Sequence, residues 1–329
     1  MRDTEYAFLD TRVRAMERSL LTRERMERML SAPTPEAAAR VLTECGYPEL
    51  PSLTGPALEQ ALERRQRETM EDLAGLMPNQ GVLELFQARF DYHNAKVLVK
   101  GEGLGQEQDR LLTPGGRYDP ARLAADYRQG NLKAYGERFR QGVARAREVL
   151  GATGDPQQAD LALDRAYFAQ LAELAQDTGS TFLQGYVALL IDAANLRAAV
   201  RAARLGKGRE FLRQVLIPGG KVPPSALAGA KREALAQAFR AGPLAEAAAA
   251  GAAVAASGAG PLTEFERLCD DAVTTYFDGA RMVAFGVEPV AGYLYARQAE
   301  ATAIRTILAG RMAGLDESII RQRLRRSYC

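Results

Sequence analysis

Apolar positions along the chain recur at helical rather than strand spacing. In the stretch MRDTEYAFLDTRVRAMERSLL, Leu9, Val13, Met16 and Leu20 stand at i, i+4, i+7 and i+11, while Arg14 and Arg18 fall on another side. This spacing predicts an amphipathic helix with a basic flank. Similar segments follow, with breaks at TPGG, IPGG and AGPL, and no series of period-two strands separated by hairpin turns appears. The predicted class is all-α.

Laid on itself, the chain repeats. FDYHNAKVLVK, Phe90 to Lys100, aligns with IDAANLRAAVR, Ile191 to Arg201, so that Asp91 and Asp192, Asn94 and Asn195, Lys96 and Arg197, and Lys100 and Arg201 all differ by 101 positions. Downstream, LLTPGGR at 111–117 matches VLIPGGK at 215–221 with an offset of 104. A third, degenerate copy lies in AEATAIRTILAGRMAGL, where Glu300 and Arg305 stand five apart as Asp192 and Arg197 do, with Ala303 in place of the asparagine. Units of this length exceed the about 30 to 45 residues of solenoid repeats. The expectation is three similar helical lobes, 1–112, 113–216 and 217–329, in a pseudo-threefold, funnel-like arrangement within one compact protein.

At about 100° per residue, Asp192 and Asn195 share one side of their helix, beside the apolar stripe Leu189, Ala193, Leu196 and Val200; Arg197, Arg201 and Arg204 lie on the other. Two readings stand. In the first, Asp91, Asn94, Asp192, Asn195 and Glu300 satisfy backbone or neighbouring-helix groups where lobes meet, and the arginines complement the helix end. In the second, the basic flank, comprising Lys96, Lys100, Arg197, Arg201, Arg204 and Arg305, is a docking surface for an acidic partner.

Composition supports helix: apolar residues make up 47% and charged residues 26%, with no tryptophan. The balance of 43 basic and 41 acidic residues, net +2, argues against a nucleic-acid binder, so any electrostatic recognition is local. Basic runs do occur, from Arg197 to Arg213 and at Arg321, Arg323, Arg325 and Arg326, which read as solvated helix ends or as contacts for acidic proteins or anionic headgroups. Cys45, Cys269 and Cys329 are far apart and lack metal spacing, which suits a reducing compartment. No stretch of about 18 apolar residues is present, and the uncharged run from Ala247 to Thr263 is too rich in Ala and Gly to insert.

Candidate chemistry is sparse. His93 stands opposite Ala194 and Thr302 in the other copies, so it reads as a partly buried, hydrogen-bonded side chain rather than a repeated catalytic group. GEGLG departs from the dinucleotide fingerprint and follows a helix, so it reads as a C-cap and turn. Neither a GxxxxGK[ST] loop nor a GxSxG elbow occurs, and no cofactor or metal is expected.

YAFLDTRVRAMERSLLT, the repeated FDYHNAKVLVK and IDAANLRAAVRAARLGKG, the LIPGGK break and AEATAIRTILAGRMAGLDESIIRQRLRRSYC together resemble the C subunits of the V-type (A/V-type) ATP synthases and ATPases, relatives of the d subunit of the vacuolar pump. The resemblance runs from Tyr6 to Tyr328. It implies an all-helical funnel of three lobes and a non-catalytic rotor component on the cytoplasmic membrane face. That component would cap the proteolipid ring and hold the central stalk, made of the D and F subunits, as a monomer within the complex, without small-molecule substrate or nucleic acid. It would transmit torque for ATP-linked H+ or Na+ transport. The alternatives are a free-standing helical adaptor for acidic proteins and an enzyme using dispersed carboxylates.

Overall fold

A computed structural model of the chain describes residues 3–50, 52–228 and 232–329. The described residues form α-helices joined by turns and short 3-10 segments, with no strand among them. In order these are α1 (Ala7–Glu17), α2 (Arg23–Ser31), α3 (Pro35–Arg40), α4 (Gly55–Ala74), α5 (Gln80–Leu104), α6 (Pro120–Arg128), α7 (Glu137–Thr153), α8 (Pro156–Asp177), α9 (Thr181–Arg204), α10 (Arg209–Val215), α11 (Pro224–Ala228), α12 (Arg232–Ala238), α13 (Ala245–Ser257), α14 (Thr263–Arg281), α15 (Val287–Met312) and α16 (Glu317–Arg323). The all-α expectation holds.

Local chemistry explains where helices begin and end. Thr34, Asp119 and Asp155 each precede a proline at the first helical position and accept a backbone N–H from Ala37, Arg122 and Gln157 respectively. Such caps satisfy donors that the first turn would otherwise leave bare, and proline at that position loses nothing. The first predicted helix is shorter than its apolar spacing suggested. α1 ends at Glu17, and Leu20, which is buried, sits in the turn that follows.

The chain divides into two compact units, one taking in the sequence up to Arg65 and from Ala188 onward, the other Gln66–Val187. The division falls inside α4 and α9. In the Gln66–Val187 unit, α5, α7 and α8 pack on one another around Tyr92, Val99, Tyr127, Phe139, Val143 and Leu163. The rings of Tyr92 and Phe139 meet edge to face at 5.4 Å, the geometry that aromatic quadrupoles favour. α7 approaches α8 closely at Gly142, where a Cβ would lie 2.6 Å from the Ala166 methyl.

In the other unit α15 is buried on several faces, and Ile304, Ile307 and Leu308 pack with Met29 and Leu30 of α2, Ala38 of α3 and Ile320 of α16. The alanine-rich run forms α13, packed on α14, and Gly251 lets it close on Val200 of α9 and Phe265 of α14. Among the described residues no helix is long and apolar enough to cross a membrane.

Two glycines of α7 separate packing from propensity. Gly142→Leu should lower the urea midpoint by an overpacking cost of about 2 kcal/mol. Gly151→Ala, with nothing within 4 Å of its added Cβ, should raise stability by roughly 0.5–1 kcal/mol. Equal effects of the two changes on circular-dichroism melts would contradict this packing.

Candidate functional site

The repeated Asp and Asn side chains grip a loop. In the second copy Asn195 donates through Nδ2 to the Ile217 carbonyl at 2.7 Å and accepts the Ile217 N–H through Oδ1 at 2.8 Å. One turn earlier on α9, the Asp192 carboxylate accepts the N–H groups of Lys221 at 3.0 Å and Val222 at 3.1 Å. Pro218, Gly219 and Gly220 lie between the two grips. Gly219 has φ +105, and a Cβ on Gly220 would run into Asp192 Oδ1, so both positions need glycine.

The first copy repeats this geometry on α5. Asn94 donates to the Thr113 carbonyl at 2.9 Å and accepts its N–H at 2.8 Å, and Asp91 accepts the Tyr118 N–H at 3.3 Å. Gly115 has φ +107, and a Cβ on Gly116 would run into Asp91 Oδ1. Burial drives the Asp91 carboxyl up to about 7, against the lowering effects of the Tyr118 and Arg117 N–H groups and the Arg117 guanidinium; Glu84 raises it further. Asp91 Oδ2 is buried without a hydrogen-bond partner. Burial likewise raises Asp192, opposed by the Val222 and Lys221 N–H groups.

The third copy solves the same problem with different atoms. Glu300 of α15 accepts the Leu21 N–H at 2.7 Å and the Tyr47 hydroxyl at 2.6 Å, and Arg297, one turn back on α15, pairs with it at 2.6 Å. Both charged side chains are almost fully buried, at 3% and 2% exposure.

The helix ends coincide as well. Gly105, Gly206 and Gly314 all take positive φ, at 62°, 64° and 68°. The next residue donates back to Gly101, Ala202 and Gly310 respectively at 2.9 Å in every case. This is the same Schellman-type stop three times. GEGLG is thus a helix end as expected, although Gly101 and Gly103 lie within α5 and Gly105 alone caps it.

The basic flank is engaged at home, residue by residue. Lys96 and Lys100 reach Asp164 and Asp160 of α8, each at 2.6 Å. Arg197 bridges Glu266 at 2.7 Å and Asp270 at 2.5 Å of α14, and Arg201 shares Glu266 at 2.7 Å. Arg305 holds Glu59 at 2.8 Å. Arg204 has no ion-pair partner among the described residues. Arg325 and Arg326 anchor their segment to α14 through Asp270 and Asp278.

Two cavities bear on chemistry. One of about 660 Å³ is lined by Arg201, Glu266, Thr302, Thr306, Arg323 and Arg325 among others. The second, of about 290 Å³, holds Glu102, Glu107 and Asp109, but Arg147 and Tyr127 bond Glu102, and Arg128 takes the other two. Burial works against ionisation of Glu102, yet its Arg147 and Tyr127 bonds outweigh it and hold the carboxyl low. These carboxylates are neutralised side chains rather than a poised acid and base. No group of three or more His, Cys, Asp or Glu able to hold a metal occurs among the described residues.

Comparison with known proteins gives the context for this repeat. The model of the ATP synthase (C/AC39) subunit family matches residues 9–323. The chain belongs to that family. The C subunit of the V-type sodium ATPase of Enterococcus hirae is 21% identical over 325 residues, covering 98% of this chain and 99% of the relative. The C subunit of the A-type ATP synthase of Haloquadratum walsbyi is 26% identical over 337 residues, covering 96% of each. The C subunit of the V-type ATP synthase of Deinococcus radiodurans is 24% identical over 236 residues, covering 66% of this chain and 65% of the relative.

In this C/AC39 chain His93 is hydrogen-bonded, as expected, to the Leu111 carbonyl at 3.0 Å, but it is exposed rather than partly buried. It stands on the side of α5 that faces the 111–113 loop rim. Sequence reading missed Arg297 and Tyr47. The available signal was an arginine at an apolar-stripe position, three residues before the acid that replaces Asp192.

Two consequences are testable. Asn195→Ala strands the buried N–H and C=O of Ile217 and should cost about 2–4 kcal/mol, whereas Asn94→Ala, at the more open Thr113, should cost about half as much; urea unfolding of both variants compares them. Asp91 stays protonated in the fold up to about 7 but ionises near 4 when unfolded. Its contribution is therefore full below about pH 4 and is lost as pH rises to about 7. Asp91→Asn should flatten that decline in a pH series of melts, and an unchanged slope would refute the assignment.

Proposed function

We propose that the chain is a non-catalytic central-stalk subunit of a rotary V/A-type ATP synthase or ATPase. It is the socket between the D–F shaft and the membrane proteolipid ring, peripheral on the cytoplasmic face, and transmits torque for ATP-linked H+ or Na+ transport. The observation that carries this reading is family membership over nearly the whole chain, together with a helix stop and loop grip used three times. The reading includes three lobes, 1–112, 113–216 and 217–329, in pseudo-threefold arrangement. It also includes the interlobe role of Asp91, Asn94, Asp192, Asn195 and Glu300.

Docking through Lys96, Lys100, Arg197, Arg201, Arg204 and Arg305 belongs to the same proposal. Lys100, Arg201 and Arg305 are 43%, 58% and 45% exposed in their pairs. Exposed pairs are worth about 0–1 kcal/mol, so exchanging the internal carboxylate for a partner's acid costs little. Charge complementarity of this kind contributes association rate and specificity more than affinity.

The test is to mix the purified chain with the D–F pair and, separately, with detergent-solubilised ring, and to measure complex mass by light scattering. One chain per shaft and one per ring is expected. Association with neither would return the chain to the class of free-standing helical adaptors. Arg201→Glu with Arg204→Glu should weaken at least one of the two complexes, and unchanged binding of both would remove the docking role.

A further inference from the structure

The three equivalent helix ends differ in charge. At the end of α5 the corner carries Glu102, Glu107 and Asp109 with Arg110, and at the end of α15 Arg311 is followed by Asp316 and Glu317. Only the corner between α9 and α10 is basic, with Arg204, Lys207, Arg209 and Arg213 against Glu210. Arg204, Lys207 and Arg209 have no ion-pair partner among the described residues, and the Arg213–Glu210 pair is exposed and long at 3.5 Å. Elsewhere on the same helix Arg197 and Arg201 are paired with α14.

An apolar residue sits at the tip of this basic corner. Leu205 is 70% exposed, immediately before Gly206 and two residues before Lys207. Gly206 and Gly208 carry no side chains that would screen it, and Lys207 is drawn over the Phe211 ring at 5.8 Å, leaving the leucine uncovered. Leu104, at the same place before Gly105, is likewise 63% exposed, but its corner is acidic; among the three helix ends the α9–α10 corner is the one that joins a bare leucine to unpaired cations. An acidic protein surface would complement those cations alone. A bilayer with anionic headgroups complements both, because the cations meet phosphates at the surface while the leucine enters the acyl boundary.

We propose that the α9–α10 corner, Arg204 to Arg213 with Leu205 at its tip, binds the surface of an anionic phospholipid bilayer. The helix end supplies a rigid platform, since the Gly206 stop fixes the direction of the tip. The site does not rest on the rotor reading. A chain outside any rotary complex would bind vesicles through it equally, so failure of one does not entail failure of the other.

Co-sedimentation of the full chain with vesicles tests this. Phosphatidylcholine doped with phosphatidylglycerol should carry the chain down, and phosphatidylcholine alone should not, with binding fading as salt rises. Lys207→Ala with Arg209→Ala should lower partitioning roughly thirty-fold, at about five- to sixfold per cation. Leu205→Ser should weaken binding without changing its salt dependence. Lys133→Ala with Arg145→Ala removes the same charge from exposed positions elsewhere and should leave binding nearly intact. The proposal falls if doped vesicles do not bind, or if the Lys133 and Arg145 variant loses as much as the corner variant. It also falls if a poly-glutamate peptide, but not the vesicles, is captured through Lys207 and Arg209.

Discussion

The grip of a long helix on the backbone of a glycine loop is the constraint on which the repeated architecture depends. A loop entering the interior brings N–H and C=O groups that have no ladder to join, and each one left bare costs about 1–3 kcal/mol. The carboxamide of Asn195 matches both groups of one residue, Ile217, and the carboxylate of Asp192 takes two successive N–H groups beyond the proline and glycines. Glycine follows from the grip. The loop comes so close to the aspartate that Gly220 has no room for a Cβ, and Gly219 turns through a conformation other residues avoid. Asp, Asn and the two glycines are therefore one device spread over about thirty positions of sequence.

The third copy shows how far the device tolerates change. Without an asparagine at Ala303, the longer Glu300 of α15 reaches two groups, the Leu21 N–H and the Tyr47 hydroxyl. Burying a lone carboxylate there would be costly, and Arg297 supplies the counter-charge one turn away while lying over the Tyr47 ring at 5.5 Å. A buried pair of this kind is weak evidence for added stability, but removal of either partner leaves an unpaired buried charge costing about 3–5 kcal/mol. Burial and the Glu300 carboxylate hold the Tyr47 hydroxyl protonated well beyond its ordinary range. The group therefore acts as a fixed donor.

Much of this was legible in the chain itself. The all-helical class followed from periodicity, and the 101-residue register of Asp91, Asn94 and their counterparts gave the gripping residues by number. Their partners were half visible, since the PGG breaks stood at a second constant offset, but nothing in spacing alone says that a side chain on one helix bonds the loop some twenty positions later. The third grip was not legible: Leu21 and Tyr47 lie far from Glu300 in sequence and carry no periodic mark. The ion pairs were likewise hidden, because an arginine facing Glu266 and one facing solvent look the same on a helical wheel. The burial of His93 was misjudged for a related reason. Its neighbours Tyr92 and Asn94 are buried, and only the side of the helix on which it stands keeps it exposed.

Repetition of backbone with divergence of side chain has a physical consequence. The three helix stops use the same bond from the same positions, so the backbone presents three equivalent corners whatever residues decorate them. Substitutions at an exposed corner cost little in stability, usually within about 0.5 kcal/mol. The corners are then free to acquire different charges, while a change in the gripped interior needs a compensating partner, as Arg297 is for Glu300. Arg197 illustrates the opposite limit on the same helix: burial opposes its charge, and Asp270 and Glu266 more than restore it. Moving from Arg197 through Arg201 to Arg204, a single helix passes from a cation committed to its own fold, through one shared with solvent, to one with no internal partner among the described residues. On this helix, charge that has not already been neutralised is available at that far end.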